Sequence, residues 1–521
     1  MRVTKSRRGG PVIVIALVAI IATVAVSAAV LHQPQARTHG ADITPTKSAA
    51  PVSQGSTLTS TRLNSLKLLN YYPSDAAWSS MWERWDIGTI QRDIRTMAAL
   101  HANAVRLIVQ TTTFGYPNPN PQMLERLAAT VEAARTGGLR VQLTLFDWWS
   151  AYTDLTGSTT WATAVLKPYA NSPEIAFVEL KNEIDPTNNH AMRWARTELP
   201  VIKKLVGTVP VTVSVTGSDT AAQLAKLKSG LGTAQPDFYD IHYYGAPGAA
   251  YAQLSLDKAI ASPAPLFVGE TGLSTAPPPG SDLAEAEANQ DHYLRTVEWA
   301  TQALGLPPAA PWMLYDLAPG AIPRQSLAQS VAAGTQSHFG LLRVDSSEKP
   351  AAASISDFFA TGIIDTTFNN AFNQHGRGQP LVWQTVGATA GTLYWDSAFS
   401  HSGGGSVALA RTGGTSTLTP SYRVHPVVVP TAAGQLFALA AWAKGTSTTG
   451  RNRMSIAWFA STGLYLGNVQ SPSLAAGTTL WTRLMVQSRV PVGTAYAEVD
   501  LESSQNTGTV WFDDVTFTRV P

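Results

Sequence analysis

A chain of 521 residues exceeds one ordinary domain, and its 44% apolar content is enough for more than one sizeable core. Lys plus Arg (37) nearly balances Asp plus Glu (35), so no basic excess points to a nucleic-acid partner. The absence of cysteine excludes a disulfide framework, a thiol nucleophile and a Cys-based metal site.

Residues 1–31 read as a signal peptide or an uncleaved signal anchor. Arg2, Lys5, Arg7 and Arg8 precede a charge-free, mostly apolar run from Pro11 to Leu31. The run is about long enough to span a bilayer, so membrane contact is expected only if it stays uncleaved. Either way the basic flank stays inside and the remainder goes out, which places the protein outside the cell or on the outer face of the cytoplasmic membrane. Residues 32–61, rich in Pro, Thr, Ser, Ala and Gln, read as a flexible linker.

From there apolar strands alternate with helical patterns. Strands are expected at Ser65–Tyr72, Ala104–Val109, Leu139–Phe146, Ile175–Leu180, Val211–Val215, Phe238–Tyr244, Leu266–Glu270 and Trp312–Leu317. Helices are expected with Ile90, Ile94 and Met97 on one face, then from about Gln122 to Ala134, where Gly137 and Gly138 follow as a stop signal. Others run from Ala191 to Val206 with a break near Pro200, over Ala221–Leu227, near Leu256, from Asp282 to about Leu304, and over Ala351–Phe359. Eight strands in this alternation predict a closed (β/α)8 TIM barrel over residues 62–362. A doubly wound open sheet would normally bring a Gly-rich phosphate loop after an early strand, and the sequence has none. Beyond residue 365 short alternating segments such as Leu436–Lys444, Met454–Ala460 and Thr509–Phe517 predict an all-β sandwich over 366–521.

The chemistry centres on FVELKNEIDP, Phe177 to Pro186, where an apolar strand ends in a polar cluster that includes Asn182 and Glu183. A second acid, Glu270, ends the seventh strand in FVGETG. Strand ends at the carboxyl face are where such barrels keep their reacting groups, and strands four and seven lie across the mouth from one another. Two carboxylates about 5 Å apart at an effective dielectric near 20 repel by roughly 3 kcal/mol, about two pKa units, enough to keep one protonated while the other is charged. That is the requirement for acid-assisted cleavage of a glycosidic bond. Asp185 reads as the cap of the following helix, with Pro186 at its first position.

FVELKNE, DIHYYG, FVGETG and PWMLYDL, on the fourth, sixth, seventh and eighth strands, resemble the clan of retaining glycoside hydrolases that includes the family 5 cellulases and mannanases. The resemblance covers about Ser65 to Phe359. It implies Glu183 as general acid/base, Glu270 as nucleophile and Asn182 as a hydrogen-bond partner of the sugar 2-hydroxyl. It further implies that Arg106 keeps the nucleophile ionised, Tyr244 orients it, His242 lines the pocket and Trp312 forms its floor. Family 5 cellulases tend to carry a histidine at the end of the third strand; here Phe146, Asp147, Trp148 and Trp149 stand there. Asp147 is expected to replace its bond to sugar and the pair Trp148 and Trp149 to line a subsite, with Tyr71, Tyr72 and Trp85 as further subsite candidates.

The C-terminal domain resembles jelly-roll carbohydrate-binding modules through HSGGGSVAL, AWAK and WFDDV. The resemblance implies a structural calcium near Asp513 and Asp514, although Asn373 stands where a glutamate usually assists, and a sugar platform drawn from Trp395, Trp458 and Tyr465. The expected protein is an exported, monomeric, retaining β-glycosidase acting on a β-linked polysaccharide or oligosaccharide of glucan or mannan type, with no catalytic cofactor. The alternatives are a cell-surface transglycosylase using the same residues and a non-catalytic glycan-binding protein.

Overall fold

The computed structural model describes residues 62–520, leaving aside 277–282, 325–332 and short stretches within 363–462. The N-terminal basic flank, apolar run and linker, and Asn373, lie outside the described residues. Among those residues no helix is long and apolar enough to cross a membrane.

The N-terminal half is a parallel barrel. Strands β1 (Leu68–Asn70), β2 (Ala104–Val109), β3 (Arg140–Leu145), β4 (Ile175–Glu179) and β5 (Val211–Thr212) pair in sequence order, as do β6 (Ser214–Thr216), β7 (Tyr239–Tyr243) and β8 (Leu266–Thr271). The main helices between and after them are α1 (Ile87–Ala99), α2 (Pro121–Thr136), α3 (Leu155–Leu166), α4 (Asn189–Val206), α5 (Thr220–Leu231), α6 (Ala250–Ala261), α7 (Leu283–Ala303) and α8 (Pro350–Thr361). Short polar side chains start five of them: Asp86, Asn120, Asp154, Asn188 and Asp219 each accept a hydrogen bond from a first-turn amide.

Three expectations change. The fifth strand is split at Val213, because its polar atoms serve the end of the fourth: Leu180 N donates to Thr212 O at 2.8 Å, while the Ser214 hydroxyl and carbonyl receive the Glu183 and Ile184 amides at 2.8 and 2.9 Å. The eighth strand is reduced to isolated bridges, Thr271 to Pro311 and Tyr315 to Leu342. Its amides are divided among three neighbours, Trp312 N to Thr271 O, Met313 N to Phe339 O and Leu314 N to Asn70 O, so no continuous ladder forms. The seam still closes there, since Asn70 N donates to Pro311 O at 3.3 Å. Finally, α4 runs unbroken through Pro200, which faces solvent while Leu199 and Ile202 pack inward.

One core fills the barrel and its helix layer. A smaller cluster of Leu63, Leu66, Leu68, Ala104, Ala176, Phe177, Phe238, Phe267 and Ala310 plugs the end where the strands begin. The C-terminal region is a sandwich of two five-stranded antiparallel sheets. One is built from 384–386, 421–428, 496–504, 451–459 and 465–470, the other from 393–396, 406–410, 509–519, 436–446 and 482–489, with a separate core between them.

Candidate active site

Alternation along the strands sends every second residue into the barrel, and near the carboxyl ends those residues are polar: Asn70, Arg106, Gln142, Thr144, Glu179, Thr212, Ser214, Asp240, His242 and Glu270 are all buried. Buried polar groups need partners, and they find them in each other. Arg106 is the hub. Its Nη1 bonds Glu270 Oε1 and, at 3.0 Å, Asn70 Oδ1; its Nη2 reaches Glu179 Oε2 at 2.7 Å and Asn182 Oδ1 at 2.8 Å. Its Nε donates to Thr144 Oγ1 at 2.8 Å and to Glu179 Oε2 at 3.1 Å.

Glu183, His242 and Glu270 come together as the sequence predicted. A ring nitrogen of His242 and one carboxylate oxygen from each acid all lie within 4.8 Å of one another. His242 Nδ1 is 2.9 Å from Glu183 Oε1 and 3.4 Å from Glu270 Oε1. Tyr244 donates its hydroxyl to Glu270 Oε2 at 2.8 Å. Asn182 is engaged at both ends, since its Nδ2 donates to Asp147 Oδ1 at 3.0 Å. Asp147 in turn accepts from Gln110 Nε2 at 3.0 Å. Its two oxygens are thus occupied, and it is only 4% exposed, so it orients Asn182 rather than offering a free oxygen to a sugar.

The charges perturb one another. Burial pushes the Glu270 carboxyl above its ordinary range, against the pull of His242 and Arg106. Burial acts the same way on Glu183, but its bond to His242 outweighs this and holds the carboxyl below that range. Burial disfavours a charged imidazole, yet Glu270 and Glu183 prevail and raise His242 to about 9. The acids Glu179 and Glu270 share the Arg106 guanidinium.

An aromatic wall stands beside the acids. Trp312 is edge-on to Tyr72 at 6.1 Å; Tyr72 stacks on Trp78 at 4.9 Å; Trp78 lies near-parallel to Trp148 at 5.9 Å. Trp148 is 39% exposed and Trp312 7%, so the wall runs from solvent into the mouth. Two subsite candidates are not part of it. Tyr71 donates to Asp93 at 2.7 Å beneath Tyr315, and Trp85 donates to Thr130 at 3.1 Å between α1 and α2. Asp185 is not the helix cap: it closes a turn onto Thr187, and Asn188 caps α4. An open cavity of about 1010 Å³ along α3, lined by Leu155, Thr159 and Lys167, contains none of these groups.

The residues missed from sequence are Glu179, Asp240, Asn70 and Trp78. Glu179 and Asp240, like Arg106, each place a charge inside an apolar strand, which is a signal the sequence carries. In the sandwich, Asp513 accepts from the His401, Ser402 and Asp514 amides, and Asp514 accepts from His401 Nδ1 and Ser402 Oγ. All four carboxylate oxygens therefore have protein donors, a poor fit to calcium, which takes six to eight oxygen ligands. Trp458 is buried and bonded to Ser488, and Trp395 donates to Phe372 O, so neither forms a free platform; Tyr465 is exposed.

No curated protein matches this chain. Among solved structures it is similar to an exo-β-1,4-mannosidase from Opitutaceae bacterium strain TAV5, at 21% identity over 56% of this chain and 58% of that one, with a TM-score of 0.47. It thus spans under two thirds of that protein's length. It is also similar to GH5_18 from Streptomyces cattleya in complex with GlcNAc, at 19% identity over 58% and 82% of the two chains, with a TM-score of 0.46. Residues 69–309 match cellulase, glycosyl hydrolase family 5. The barrel thus carries the family 5 glycosyl hydrolase match over most of its length, and this likeness supports a glycosidase.

Proposed function

We propose that the barrel hydrolyses β-glycosidic bonds of a glucan or mannan type by double displacement with retention, Glu270 acting as nucleophile and Glu183 as general acid/base. The observation that carries this reading is the proximity of the two carboxylates. Oxygens within 4.8 Å suit the roughly 5–5.5 Å of retaining enzymes and leave no room for the intervening water of inverting ones, whose acids stand about 6.5–9.5 Å apart.

The hydrogen bonds divide the roles. Glu270 is held at both oxygens, by Arg106 and Tyr244, which fixes its direction of attack, and the Arg106 charge works against the burial that raises its carboxyl. Glu183 is bonded to His242 and Thr216, and its side chain is 29% exposed, which leaves it within reach of a leaving group or water. The proton needed by the leaving oxygen lies on that bond. Shifted from His242 Nδ1 to Glu183, it makes the acid; the sugar then bonds covalently to Glu270 as the glycosidic bond breaks. Water, deprotonated by Glu183, releases the sugar. Asn182, oriented by Arg106 and Asp147, faces this point as the partner of the 2-hydroxyl, and Trp312 and Trp148 supply flat apolar faces for sugar rings. Export follows from the basic and apolar N-terminal run, and a glycan-tethering role for the sandwich from its resemblance to binding modules.

The test is the pair Glu270→Ala and Glu183→Ala. Glu270→Ala is expected to lose more than about 10⁴-fold in kcat on every β-glycoside. Glu183→Ala should lose about 10²–10⁴-fold on natural sugars but far less in the glycosylation of the enzyme by aryl glycosides whose leaving group needs no proton. NMR of the first-formed product should give the β-anomer. Full activity in Glu270→Ala, or an α-anomer, rejects the assignment.

A further inference from the structure

Beneath the reacting pair lies a second layer of charge. Glu179 and Asp240 are fully buried, and a carboxylate oxygen of each lies within 4.8 Å of the other and of a His242 ring nitrogen. His242 is therefore common to two clusters, Glu183 and Glu270 forming the other. Glu179 is saturated with donors, from Arg106, Gln142, Thr144 and Ser214. Asp240 is not. Its Oδ1 accepts the Gly269 amide at 2.9 Å, but its Oδ2 is buried without a partner, and so is His242 Nε2.

The charged and titratable groups around His242 come from every strand packed on it: Asp240 and Tyr244 from its own strand, Glu179 and Glu183 from β4 and its extension, Glu270 from β8 and Arg106 from β2. Three cations, Arg106, His242 and Lys181, face five carboxyl groups, the four here and Asp147. Such a buried cluster approaches neutrality only when carboxyls hold protons, because uncompensated buried charge is costly. The proton that the hydrolytic reaction uses lies on the Glu183–His242 bond and is already counted with His242. A further one belongs on the carboxyl least stabilised as an anion, and the unpartnered Oδ2 marks Asp240. Burial, then the charge of Glu179, push its carboxyl up to about 8. The backbone is shaped for it: a Cβ on Gly269, the neighbour of Glu270, would stand 2.4 Å from Asp240 Oδ1.

We propose that Asp240 is a positioning residue that holds a proton beneath His242 at neutral pH and, once ionised, keeps His242 charged, so that it sets the pH at which the Glu183–His242 proton is lost. This rests on the reading of Glu183 and Glu270 as the reacting pair. Asp240→Asn preserves shape and the acceptor for the Gly269 amide but cannot ionise. In the wild type the charge gained by Asp240 near pH 8 delays deprotonation of His242; in the variant that support is missing. The alkaline limb of kcat/KM should move to lower pH by about one unit or more, and the imidazole ¹⁵N signals of His242, in the full chain, should titrate lower by a similar amount. An unmoved limb with an unmoved His242 titration overturns the proposal. The NMR arm stands whether or not any glycoside tried is cleaved, so failure of the hydrolytic reading is told apart. Should Asp240→Asn not fold, the wild-type titration carries the test: His242 signals should show two steps, near pH 8 and near 9, and a single step overturns it.

Discussion

Glu183 occupies a left-handed backbone conformation at φ 46°, and so do Phe146, Trp148 and Trp78 around the same mouth. For side chains with a Cβ this costs on the order of 1–2 kcal/mol each. At Glu183 the surroundings hold it: the amide is tied to Ser214 Oγ and the carboxylate to His242. The acid is thereby fixed before a sugar arrives. Tyr244 offers the cleanest single-atom test of the arrangement. Its ring is 38% exposed, and its hydroxyl touches Glu270. Tyr244→Phe removes one hydrogen bond to a charged group, about 1.5–3 kcal/mol, so kcat should fall roughly 10–100-fold while Tm stays within about 1 °C. A matching loss of Tm would mean that the hydroxyl serves the fold instead.

The elements serve the site through alternation. On β7, Asp240 and His242 point inward while Tyr239, Ile241 and Tyr243 pack against the helix layer. The same rule leaves some acids in the helix layer with poor company. Glu298 on α7 is fully buried, with one oxygen bonded to the Ala309 amide and the other unpartnered, and burial raises its carboxyl to about 8. The folded state thus binds a proton that the unfolded chain, with a glutamate near 4.3, has already released. Stability is lost as pH rises from about 4.5 to 8. Glu298→Gln should therefore lessen the fall in Tm between pH 5 and pH 8 relative to wild type, read by calorimetry. An unchanged fall would show that the carboxyl titrates normally.

For the whole molecule, the barrel and the sandwich each enclose their own core, and every site residue lies between Asn70 and Trp312. A chain ending at Gly362, where α8 closes in a left-handed cap, should keep kcat/KM on a soluble aryl glycoside within about twofold of the full chain. The proposed tethering role predicts instead a loss of activity on insoluble polysaccharide. A collapse of activity on both substrates would make the sandwich part of the catalytic unit.

Hydrophobic period and strand-end chemistry determined the order of strands and helices, the barrel, and the two acids Glu183 and Glu270, because these depend on local pattern, while Arg106, His242 and Tyr244 were named through the resemblance of the strand motifs to a known family. β2 was legible to the residue. Strand eight was not, since its amides answer to three neighbours distant in sequence. Nor were the roles of Asp147, Glu179 and Asp240 legible: a buried polar residue acquires its meaning from the partner across the barrel. Only the tertiary structure decided that Asp147 holds Asn182, that Tyr71 and Trp85 belong to the packing, and that three cations are set against five acids. Spacing along the chain carries no distance across a closed sheet, and electrostatics depend on that distance.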